Sequence, residues 1–425
     1  MSDPVLAQYE AFPYPRRDPA EEKRRLIDGS PSNLKEVDHY VFAGRRDFAR
    51  PFRALVAGGG TGDGLILLAQ QLAERGTPAE VVYLDLAAAS RRIAEARAEA
   101  RSLTNIRFLT ASLLDLPGMD IGPFDYIDCC GVLHHLENPA AGLAALKAVL
   151  APDGGMGLML YGELGRIGVY HAQEMLRLLA PASEPAPARI ETAKRLLAEL
   201  PETNWLRRNP AVGDWRRDDA GLFDLLLHAR DRAYRVPEIA ALAASAGLEI
   251  VAFVDPWRYD PESYLSDPKL KARLAGLPTL ERAAFAELLA GNIKSHNCYV
   301  VARGRAAAAL SRPDSPAAIP VLRQDDGPAL AKLIRDDRIG LRIDGLEMTF
   351  ALPRLAGPIL ARIDGQASLA ALQKGLEDEL GRRAEPAAFA RDFAWLYKVM
   401  NGIGRMTIRH TIREAGIKPE GIEGR

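Results

Sequence analysis

The sequence predicts an α/β fold with a doubly wound, mostly parallel sheet, and three observations support this prediction. Apolar, strand-like runs alternate with helical segments across residues 51–161, which is typical of parallel sheets with right-handed crossovers. The first run ends in a glycine loop, Gly58–Gly62, directly before a predicted helix. The second run ends in an acid, Asp85, where a nucleotide-binding sheet commonly carries one. A ligand with a nucleoside part is therefore expected at the carboxyl edge of the sheet.

The elements of residues 51–161 follow one another in a regular order. We expect strands near 53–57, 80–84, 105–109, 124–130 and 155–161, and helices near 63–75, 87–101 and 140–150. Asn138 and Pro139 predict where the third helix begins, as its capping residue and its first helical residue. The run Pro152–Gly155 predicts a turn that closes this helix.

Glycine-rich or polar segments follow each predicted strand. Because parallel strands present their carboxyl ends at one edge, we expect these segments to lie together: the glycine loop, Asp85, Ser112, Gly131–His135 and Tyr161–Glu163. Gly58, Gly60 and Gly62 follow a G-x-G-x-G spacing, which lets the main chain approach a ligand closely. Taken alone, this motif is also compatible with an ordinary tight strand–helix turn. Asp63 is predicted to cap the following helix.

The bulk composition narrows the classes of function. A chain of 425 residues predicts two or three domains. Its net charge of −1 gives no electrostatic case for nucleic acid or for an anionic membrane as partner. Three cysteines, two of them adjacent in a predicted strand, do not form a disulfide framework, which favours a reducing cytoplasm. No run approaches the ~18 apolar residues of a membrane span, and the start of the chain, with Asp3, does not resemble a signal peptide.

Further segments surround the predicted sheet. Residues 1–50 form a lead-in, whose proline-bearing run Tyr9–Pro15 either clamps onto the core or forms a lid over the ligand. Residues 162–235 lose the strand pattern and predict an inserted helical cap. A helix at Pro237–Ala246 and two more strands, at Leu248–Val254 and Cys298–Ala302, would complete a sheet domain over 51–303. A second helical insertion is expected between these strands, near 255–296.

The C-terminal part has a separate organisation. Residues 304–320, rich in alanine and proline, predict a linker. Residues 321–413 predict a small α+β domain with a winged-helix-like pattern, followed by a tail over 414–425. Its helices are expected near 327–335, 355–363, 368–380 and 386–400, and its strands near 339–350 and 405–409. The final Ile422–Arg425 matches a protease-site tag and is excluded from the fold.

Five motifs occur in the order found in one enzyme family. They are Tyr-x-x-x-Pro-Tyr-Pro at 9–15, Val-Ala-Gly-Gly-Gly-Thr-Gly at 56–62, Ser-Leu-Leu-Asp-Leu at 112–116, Gly-Val-Leu-His-His at 131–135 and Asp-Arg-Ala-Tyr at 231–234. Over roughly residues 5–303 the chain resembles the class I S-adenosylmethionine-dependent methyltransferases, in particular a bacterial subgroup often fused to tetratricopeptide repeats, which the sequence lacks. The resemblance implies a seven-stranded Rossmann-like sheet, with the seventh strand antiparallel between the fifth and sixth, and S-adenosyl-L-methionine as cofactor.

The resemblance also implies which residues bind this cofactor. Asp85 should bind both ribose hydroxyls, since a carboxylate can accept two hydrogen bonds from a cis-diol. The other expected contacts are Gly58, Gly59, Gly60, Gly62, Leu86, Ser112, Leu113 and Gly131. Val56 stands where the family commonly has an acid, so the methionine ammonium needs another acceptor, such as a backbone carbonyl. Ser112 stands where an acid often reaches the adenine amine; Asp115 is the alternative contact, or is only a turn residue.

The acceptor side is expected near the two histidines that follow the fourth strand. His134 or His135 could take a proton from a nitrogen or oxygen nucleophile, or one of them could only orient the loop. The segment Leu227–Tyr234 forms either a substrate wall or a solvated loop with a salt bridge. The catalytic candidates are His134, His135, Tyr161, His228 and Asp231, with Glu163, Arg166, Arg232 and Tyr234 near them in sequence. No cysteine–histidine cluster has metal-ligand spacing, so no metal is expected.

These observations predict an enzyme that transfers a methyl group to nitrogen or oxygen. The helical insertions and the C-terminal domain suggest a bulky acceptor, such as a protein or peptide. One alternative is a small-molecule methyltransferase whose C-terminal domain serves for homodimerisation. Another is a protein that binds the cofactor without catalysis, which the missing acid at Val56 favours. A nicotinamide oxidoreductase fits poorly, because the His-His segment would have no role in it.

Overall fold

The computed structural model describes residues 4–324, 326–381, 383 and 385–410. The predicted tail over 414–425, with its tag-like end, and the last residues of the predicted 321–413 domain lie outside these ranges. Within the described ranges, every helix is too short or too polar to span a lipid bilayer.

The central sheet has the seven strands that the sequence predicts. They are β1 (Phe52–Ala57), β2 (Ala79–Asp85), β3 (Ile106–Thr110), β4 (Phe124–Cys130), β5 (Leu150–Tyr161), β6 (Leu248–Phe253) and β7 (Ser295–Ala302). Their order is β3-β2-β1-β4-β5-β7-β6, and β7 runs antiparallel to both of its neighbours. The predicted doubly wound Rossmann-like sheet with an antiparallel seventh strand is confirmed.

Strand β5 begins at Leu150, ahead of the predicted position 155, and includes the run that the sequence interprets as a turn. Phe124 pairs with Leu150 and Tyr126 pairs with Gly155, so the residues between bulge out of the ladder. Gly154 suits this bulge, because a Cβ there would lie 2.7 Å from the Asp125 carbonyl oxygen. The predicted helix-closing turn is therefore the bulged start of a strand.

The lead-in carries two helices, α1 (Pro4–Ala11) and α2 (Leu34–Val41). Asn33 caps α2 by accepting from the Lys35 N–H at 3.0 Å. The apolar face of α2 packs on the sheet, where Tyr40 stacks on Tyr299 of β7 with ring centroids 5.0 Å apart. Helix α1 lies beside the helix that follows β2, so the lead-in reaches both the body of the sheet and its carboxyl edge.

Helices cover both faces of the sheet. Helices α3 (Asp63–Glu74) and α4 (Ala88–Ala100) lie on the face that α2 covers, where Leu68 and Ala94 join its apolar core. Helix α5 (Pro139–Ala148) lies on the opposite face and buries Leu143 and Leu146 there. Its start is the one predicted, since the Asn138 side chain accepts from the Ala141 N–H at 3.0 Å.

Two helical insertions follow β5 and β6. The first, which we call the cap, contains α6 (Val169–Leu179), α7 (Ala186–Glu199), α8 (Trp205–Arg208) and α9 (Asp219–Leu226). Phe12 of the lead-in joins the separate apolar core of the cap by stacking on Phe223, with ring centroids 4.8 Å apart. Helix α10 (Val236–Ser245) then leads into β6. The second insertion holds α11 (Pro268–Ala275) and α12 (Thr279–Ala290).

The C-terminal part has its own apolar core and two small sheets. Helix α13 (Ala306–Ala309) precedes it, and its own helices are α14 (Gly327–Ala331), α15 (Ala356–Leu360), α16 (Leu369–Leu380) and α17 (Pro386–Gly402). Its strands are β8 (Ile319–Leu322), β9 (Arg338–Ile343), β10 (Leu346–Ala351) and β11 (Met406–Arg409). β9 pairs with β10, and β8 pairs with β11, both antiparallel.

The segment predicted as a linker, 304–320, differs from that prediction at both ends. Helix α13 lies in it and stays on the sheet domain, where the Ala309 carbonyl accepts from the Ala43 N–H at 2.7 Å. Strand β8 begins at Ile319, inside the same segment. Pro320 cannot donate a ladder hydrogen bond, which is why the sequence there favours a linker over a strand.

Candidate active site

The segments that follow the strands meet at the carboxyl edge of the sheet. The glycine loop joins β1 to α3 there, and the N–H groups of Gly58 and Gly59 donate to the Leu84 carbonyl at 2.7 and 3.1 Å. Gly58 has a φ of +71°, and a Cβ on it would lie 2.3 Å from Val132. A Cβ on Gly59 would lie 2.3 Å from the ring of Tyr83. Packing below the loop therefore requires glycine at both positions.

The prediction that Asp63 caps α3 is wrong. Gly62 is the residue before the helix, and no side chain caps its first turn. The Asp63 carboxylate instead accepts from Arg17 at 2.6 Å and from the buried Arg97 at 2.7 Å. Asp63 therefore links the glycine loop to the lead-in and to α4.

Asp85 ends β2 beside the loop. Its Oδ2 accepts from the Gly60 N–H and its Oδ1 from the Ala87 N–H, both at 2.8 Å. Burial raises the pKa of this carboxyl, and hydrogen bonds from Ala87, Gly60 and Leu86 oppose the shift. Each oxygen keeps a further lone pair, so the carboxylate can still accept from two hydroxyl groups. Its assignment to the ribose stays a prediction.

Ser112 begins the predicted adenine segment. Its hydroxyl accepts from the Leu114 N–H at 3.1 Å, and the Asp115 carboxylate accepts from the Ser112 N–H at 3.2 Å. This capping box opens a short 3-10 helix, so Asp115 has the role of a turn residue. The remaining predicted contacts follow the ends of neighbouring strands: Leu86 after β2, Leu113 after β3 and Gly131 after β4.

The lead-in passes over the glycine loop. Thr61 donates its hydroxyl to the Pro15 carbonyl at 2.7 Å, and a Cβ on Gly60 would lie 3.3 Å from the Tyr14 carbonyl oxygen. Glu10 accepts from N–H groups in the first turn of α4, directly after Asp85. The run 9–15 therefore packs on the cap and also covers the glycine loop, and its role as a lid over the ligand stays a prediction.

Val56, which stands where the family commonly has an acid, is buried in β1. Its register partner on β4 is Asp128. The Asp128 carboxylate accepts from the Ser32 hydroxyl, and burial raises its pKa to about 6. A Cβ on Gly64 would lie 2.9 Å from Asp128 Oδ2, so this carboxylate lies against the first turn of α3. The sheet thus has a buried acid beside Val56 that the sequence reasoning missed.

Four of the five catalytic candidates form one ring cluster after β4 and β5. His134 stacks on Tyr161 with ring centroids 3.8 Å apart, and His135 stacks on His228 at 3.9 Å. The two neighbouring histidines meet edge to face at 4.3 Å. His135 Nδ1 lies 2.8 Å from the Arg230 carbonyl oxygen, which fixes its ring plane. We call these four residues the ring cluster.

Burial favours the neutral form of the imidazoles in the ring cluster. Burial lowers the pKa of His134 well below its usual value and lowers that of His135. Burial and the neighbouring His135 lower the pKa of His228 to about 2. Among the described residues, neither ring nitrogen of the buried His134 has a hydrogen-bond partner. A neutral imidazole can accept a proton, and an unpartnered one leaves room for a ligand or water.

Asp231, the fifth candidate, pairs with Arg166 beside the ring cluster. The two side chains are 3.0 Å apart and only 1% and 6% exposed, so the predicted salt bridge is buried, not solvated. The Arg166 guanidinium lies over the Tyr161 ring at 3.6 Å from its centroid. Asp231 therefore holds Arg166 against Tyr161. The other residues named near the candidates lie elsewhere: Glu163 is exposed, Tyr234 is buried in the sheet core, and Arg232 pairs with Glu238.

Two residues outside the predicted catalytic set contact the ring cluster or its neighbours. The Tyr9 hydroxyl donates to Asp224 Oδ1 at 3.0 Å and lies 3.2 Å from His228 Nε2. Burial raises the pKa of Asp224 to about 7, although the hydrogen bond from Tyr9 opposes the shift. Tyr9 belongs to the motif at 9–15, but no local pattern in the sequence indicates its partner. Asp224 had a signal that went unused, because it is the single acid in the apolar run Gly221–Leu227.

Comparisons with known proteins relate this chain to methyltransferases. A family model described as "Methyltransferase domain" matches residues 55–156. An uncharacterised protein of Synechococcus sp. is 31% identical over 303 residues, which cover 68% of this chain and 69% of the relative. The ubiquinone biosynthesis O-methyltransferase of Acinetobacter baylyi is 26% identical over 151 residues, 35% of this chain and 58% of that enzyme.

A solved structure extends the likeness to most of the fold. PKMT2 from Rickettsia typhi superposes with a TM-score of 0.63 at 16% identity, covering 90% of this chain and 75% of that one. The same protein in complex with AdoHcy gives a TM-score of 0.61. Because the sheet domain ends at Ala302 of 425 residues, a match over 90% of the chain includes much of the C-terminal part.

Proposed function

The chain belongs to the class I S-adenosylmethionine-dependent methyltransferases, and from that premise we propose that it methylates a nitrogen or oxygen nucleophile on a bulky acceptor, a protein or peptide. The acceptor atom and the size of the acceptor are the proposed part. Three features support them: the cofactor-binding edge, the ring cluster and the contact of the C-terminal part with the loop after β5.

The residues at the sheet edge fit S-adenosyl-L-methionine. Asp85 has lone pairs left for a cis-diol. The first turn of α3 has no side-chain cap, and its N–H groups suit the carboxylate of an amino acid. Both nitrogens of His134 are buried without a partner among the described residues, so this side of the site is incomplete without a ligand.

This cofactor supplies a methyl group already activated by a sulfonium. The protein therefore has to bind it, orient the acceptor in line and exclude water. We assign the first task to the glycine loop and Asp85, and the exclusion of water to the lead-in that covers the loop. The ring cluster is left to meet the acceptor, because it follows β4 and β5 at the same edge.

One observation carries the choice of a nitrogen or oxygen nucleophile, namely the neutral state of the three imidazoles. A hydroxyl group or an ammonium has to lose one proton to become the nucleophile, and a neutral imidazole can accept it, whereas a neutral amine can attack directly. Burial lowers the pKa of His134, His135 and His228, which favours the unprotonated rings and also makes them weaker proton acceptors. His134 and His135 remain the first candidates for this role.

The hairpin of β9 and β10 supports an acceptor that also meets the C-terminal part. Asp344 at its tip pairs with Arg258 at 3.1 Å and with Lys294 at 3.2 Å. The Lys294 carbonyl accepts from the Gly162 N–H at 2.8 Å, and Gly162 directly follows Tyr161 of the ring cluster. A domain that buttresses the acceptor loop is what a large acceptor would need, whereas a small metabolite would not require it.

The test is a labelling experiment with the full chain. A lysate from a strain lacking the protein is incubated with it and with cofactor tritiated on the methyl group, and the products are separated by size and treated with protease. We expect label in large, protease-sensitive species. Label confined to small molecules would replace this proposal by the small-molecule alternative. Calorimetric binding of AdoHcy without any transfer would favour a non-catalytic binding protein.

A further inference from the structure

The cap presents two exposed arginines that each lie over a tryptophan ring. The guanidinium of Arg208 is 5.8 Å from the ring centroid of Trp205, and that of Arg216 is 4.3 Å from the ring centroid of Trp215. Trp215 packs on the apolar core of the cap, which anchors its ring. A guanidinium held over an aromatic ring is partly ordered before any partner binds, so less side-chain entropy is lost on binding.

These two arginines differ from their neighbours in the chain, which are already paired. Arg207 pairs with Glu202 at 3.7 Å, and Arg217 pairs with Asp214 at 3.2 Å. Among the described residues, no carboxylate lies within ion-pair distance of the other two guanidinium groups, and their N–H groups donate no hydrogen bond. Two exposed cations are therefore available to an anionic partner.

The segment that carries these residues, 205–217, is strongly basic, and we call it the arginine rim. It contains four arginines and one acid, which gives it a formal charge of +3, whereas the whole chain has a net charge of −1. Trp205 is 56% exposed, although tryptophan is among the largest apolar side chains. Exposed tryptophan and arginine together are typical of the residues that contribute most to protein–protein binding.

One end of the arginine rim borders the acceptor side. The Asn209 side chain donates to the Gly165 carbonyl at 2.9 Å and to the Ile167 carbonyl at 3.1 Å. Between these two residues lies Arg166, whose guanidinium covers the ring of Tyr161 in the ring cluster. Helix α8 is thus fixed to the loop that follows β5.

The other end of the arginine rim lies near the lead-in. Burial raises the pKa of Tyr14, and the charge of Asp214 raises it further while that of Arg217 lowers it. The Tyr14 carbonyl oxygen is 3.3 Å from where a Cβ on Gly60 would lie. The rim therefore extends from the loop after β5 to the run that covers the glycine loop, along the side of the site where an acceptor would enter.

We propose that the arginine rim binds carboxylate side chains of an acidic polypeptide acceptor, at positions other than the residue that is methylated. This inference rests on the proposed function and deepens it by naming the chemical class of the acceptor. Arg208 and Arg216 supply the unpaired charges, since a planar guanidinium can donate two parallel hydrogen bonds to one carboxylate. Trp205 supplies apolar contact area beside them.

The charges around the arginine rim favour a polypeptide over a nucleic acid as the anionic partner. Glu202 and Asp219 are exposed beside the rim, and Asp214 lies within it. A nucleic acid carries a negative charge at every nucleotide, so its backbone would meet these acids as well as the arginines. Acidic side chains of a polypeptide can instead be spaced so that they meet the arginines alone.

The first experiment measures binding by fluorescence anisotropy to the full chain saturated with AdoHcy. The probes are a labelled peptide of alternating glutamate and glycine, the same peptide with glutamine for glutamate, and an oligouridylate of equal length. The glutamate peptide should bind at least ~10-fold more tightly than the glutamine peptide, and salt should reduce the difference. Equal binding of the two peptides, or tighter binding of the oligouridylate, would overturn the inference.

The second experiment assigns the preference to the arginine rim. The double variant Arg208→Gln/Arg216→Gln should weaken the glutamate peptide at least ~10-fold and leave the glutamine peptide unchanged. The double variant Arg177→Gln/Arg195→Gln is the matched control, because it removes two exposed charges from α6 and α7 of the same cap. Similar losses in the two double variants would mean that only the total charge matters, which contradicts the rim.

The outcomes separate this inference from the function on which it rests. Both double variants should bind AdoHcy as the wild type does, measured by calorimetry, because they alter surface residues of the cap. Methyl label confined to small molecules of the lysate would contradict the proposed function. Label in lysate proteins, together with equal binding of the glutamate and glutamine peptides, would contradict the acidic acceptor alone.

Discussion

The cofactor side and the acceptor side of the site are built differently. On the cofactor side the main chain supplies the shape, and Asp85 already accepts from two backbone N–H groups. On the acceptor side, side chains from the lead-in, the sheet edge and the cap meet, and His134 and Asp231 keep polar atoms without a partner among the described residues. Under the proposed assignment, the backbone preorganises cofactor binding, whereas the acceptor side presents side-chain polar atoms that a ligand could complete.

The largest effect should come from a substitution that changes the backbone conformation of the glycine loop on the cofactor side. Gly58→Ala puts a Cβ 2.3 Å from Val132 at a φ of +71°. Strain and overpacking together should cost about 2–4 kcal/mol of unfolding free energy. We expect AdoHcy affinity, measured by calorimetry, to fall at least ~100-fold, which corresponds to about 2.7 kcal/mol.

Gly29→Ala is the control for this change, because a Cβ on Gly29 meets nothing within 4 Å. It should leave both stability and affinity as they are. Normal AdoHcy binding by Gly58→Ala would mean that the loop conformation is not what holds the cofactor.

The next largest effect on AdoHcy affinity should come from Asp85, the one side chain that we assign to the cofactor's ribose. Asp85→Ala removes the acceptor for the ribose hydroxyls, and hydrogen bonds to a charged group contribute about 1.5–3 kcal/mol. AdoHcy affinity should fall about 10–100-fold by calorimetry. Asp115→Ala, which alters a carboxylate of the 3-10 turn, should have a much smaller effect. Equal losses in both variants would restore Asp115 as a cofactor contact.

On the acceptor side we expect a smaller effect, in which a substitution raises the free energy of unfolding instead of lowering it. The folded pKa of Asp224, about 7, lies above its unfolded value, 3.8, because of burial. Ionisation therefore opposes folding, and wild-type stability should fall as the pH rises from about 4 to about 7. Asp224→Asn lacks this slope and should be more stable than wild type at pH 8 by about 1–3 kcal/mol.

Urea denaturation at pH 5 and pH 8 checks this prediction. The gain from Asp224→Asn should be present at pH 8 and small at pH 5. The surface variant Asp219→Asn should show no such pH dependence. A destabilised Asp224→Asn at pH 8 would mean that the carboxylate is paired in the ligand-free protein.

The smallest effect should come from the tip of the β9–β10 hairpin, which forms ion pairs next to the acceptor side. Asp344→Ala removes the pairs with Arg258 and Lys294, and a loss of about 1 kcal/mol is reasonable for partly buried ion pairs. We expect the KM for the acceptor to rise roughly fivefold, with AdoHcy affinity unchanged. Glu347→Ala, from an exposed pair with Arg342 on the same hairpin, should change neither.

The same contrast explains how much could be predicted from the sequence. The strands themselves, the glycine loop and Asp85 were predictable, since local patterns such as an apolar run before glycine and an acid at a strand end encode them. The antiparallel place of the seventh strand followed only from the family resemblance. The capping role of Asp63 was wrong because Arg17 and Arg97, distant in sequence, compete for its carboxylate. Long-range charge pairing overrides a local capping preference here.

The acceptor side was only partly predictable. The ring cluster was found because three of its members follow strands, but its pairing of His135 with His228 depends on how the cap folds back. Asp224 meets Tyr9, 215 positions away in the chain, and no local pattern reports such a contact. Strand β8 was missed for a local reason, because Pro320 is typical of linkers and is tolerated only at a sheet edge.

Two adjacent residues of α1 touch opposite halves of the site. Glu10 holds the first turn of α4 next to Asp85, and Tyr9 holds Asp224. Any displacement of this helix that let the spent nucleoside escape would also withdraw the phenol from the carboxylate. The hydrogen bond between Tyr9 and Asp224 would then persist only while the nucleoside is enclosed, which couples the two halves of the site to the order in which ligands bind and leave.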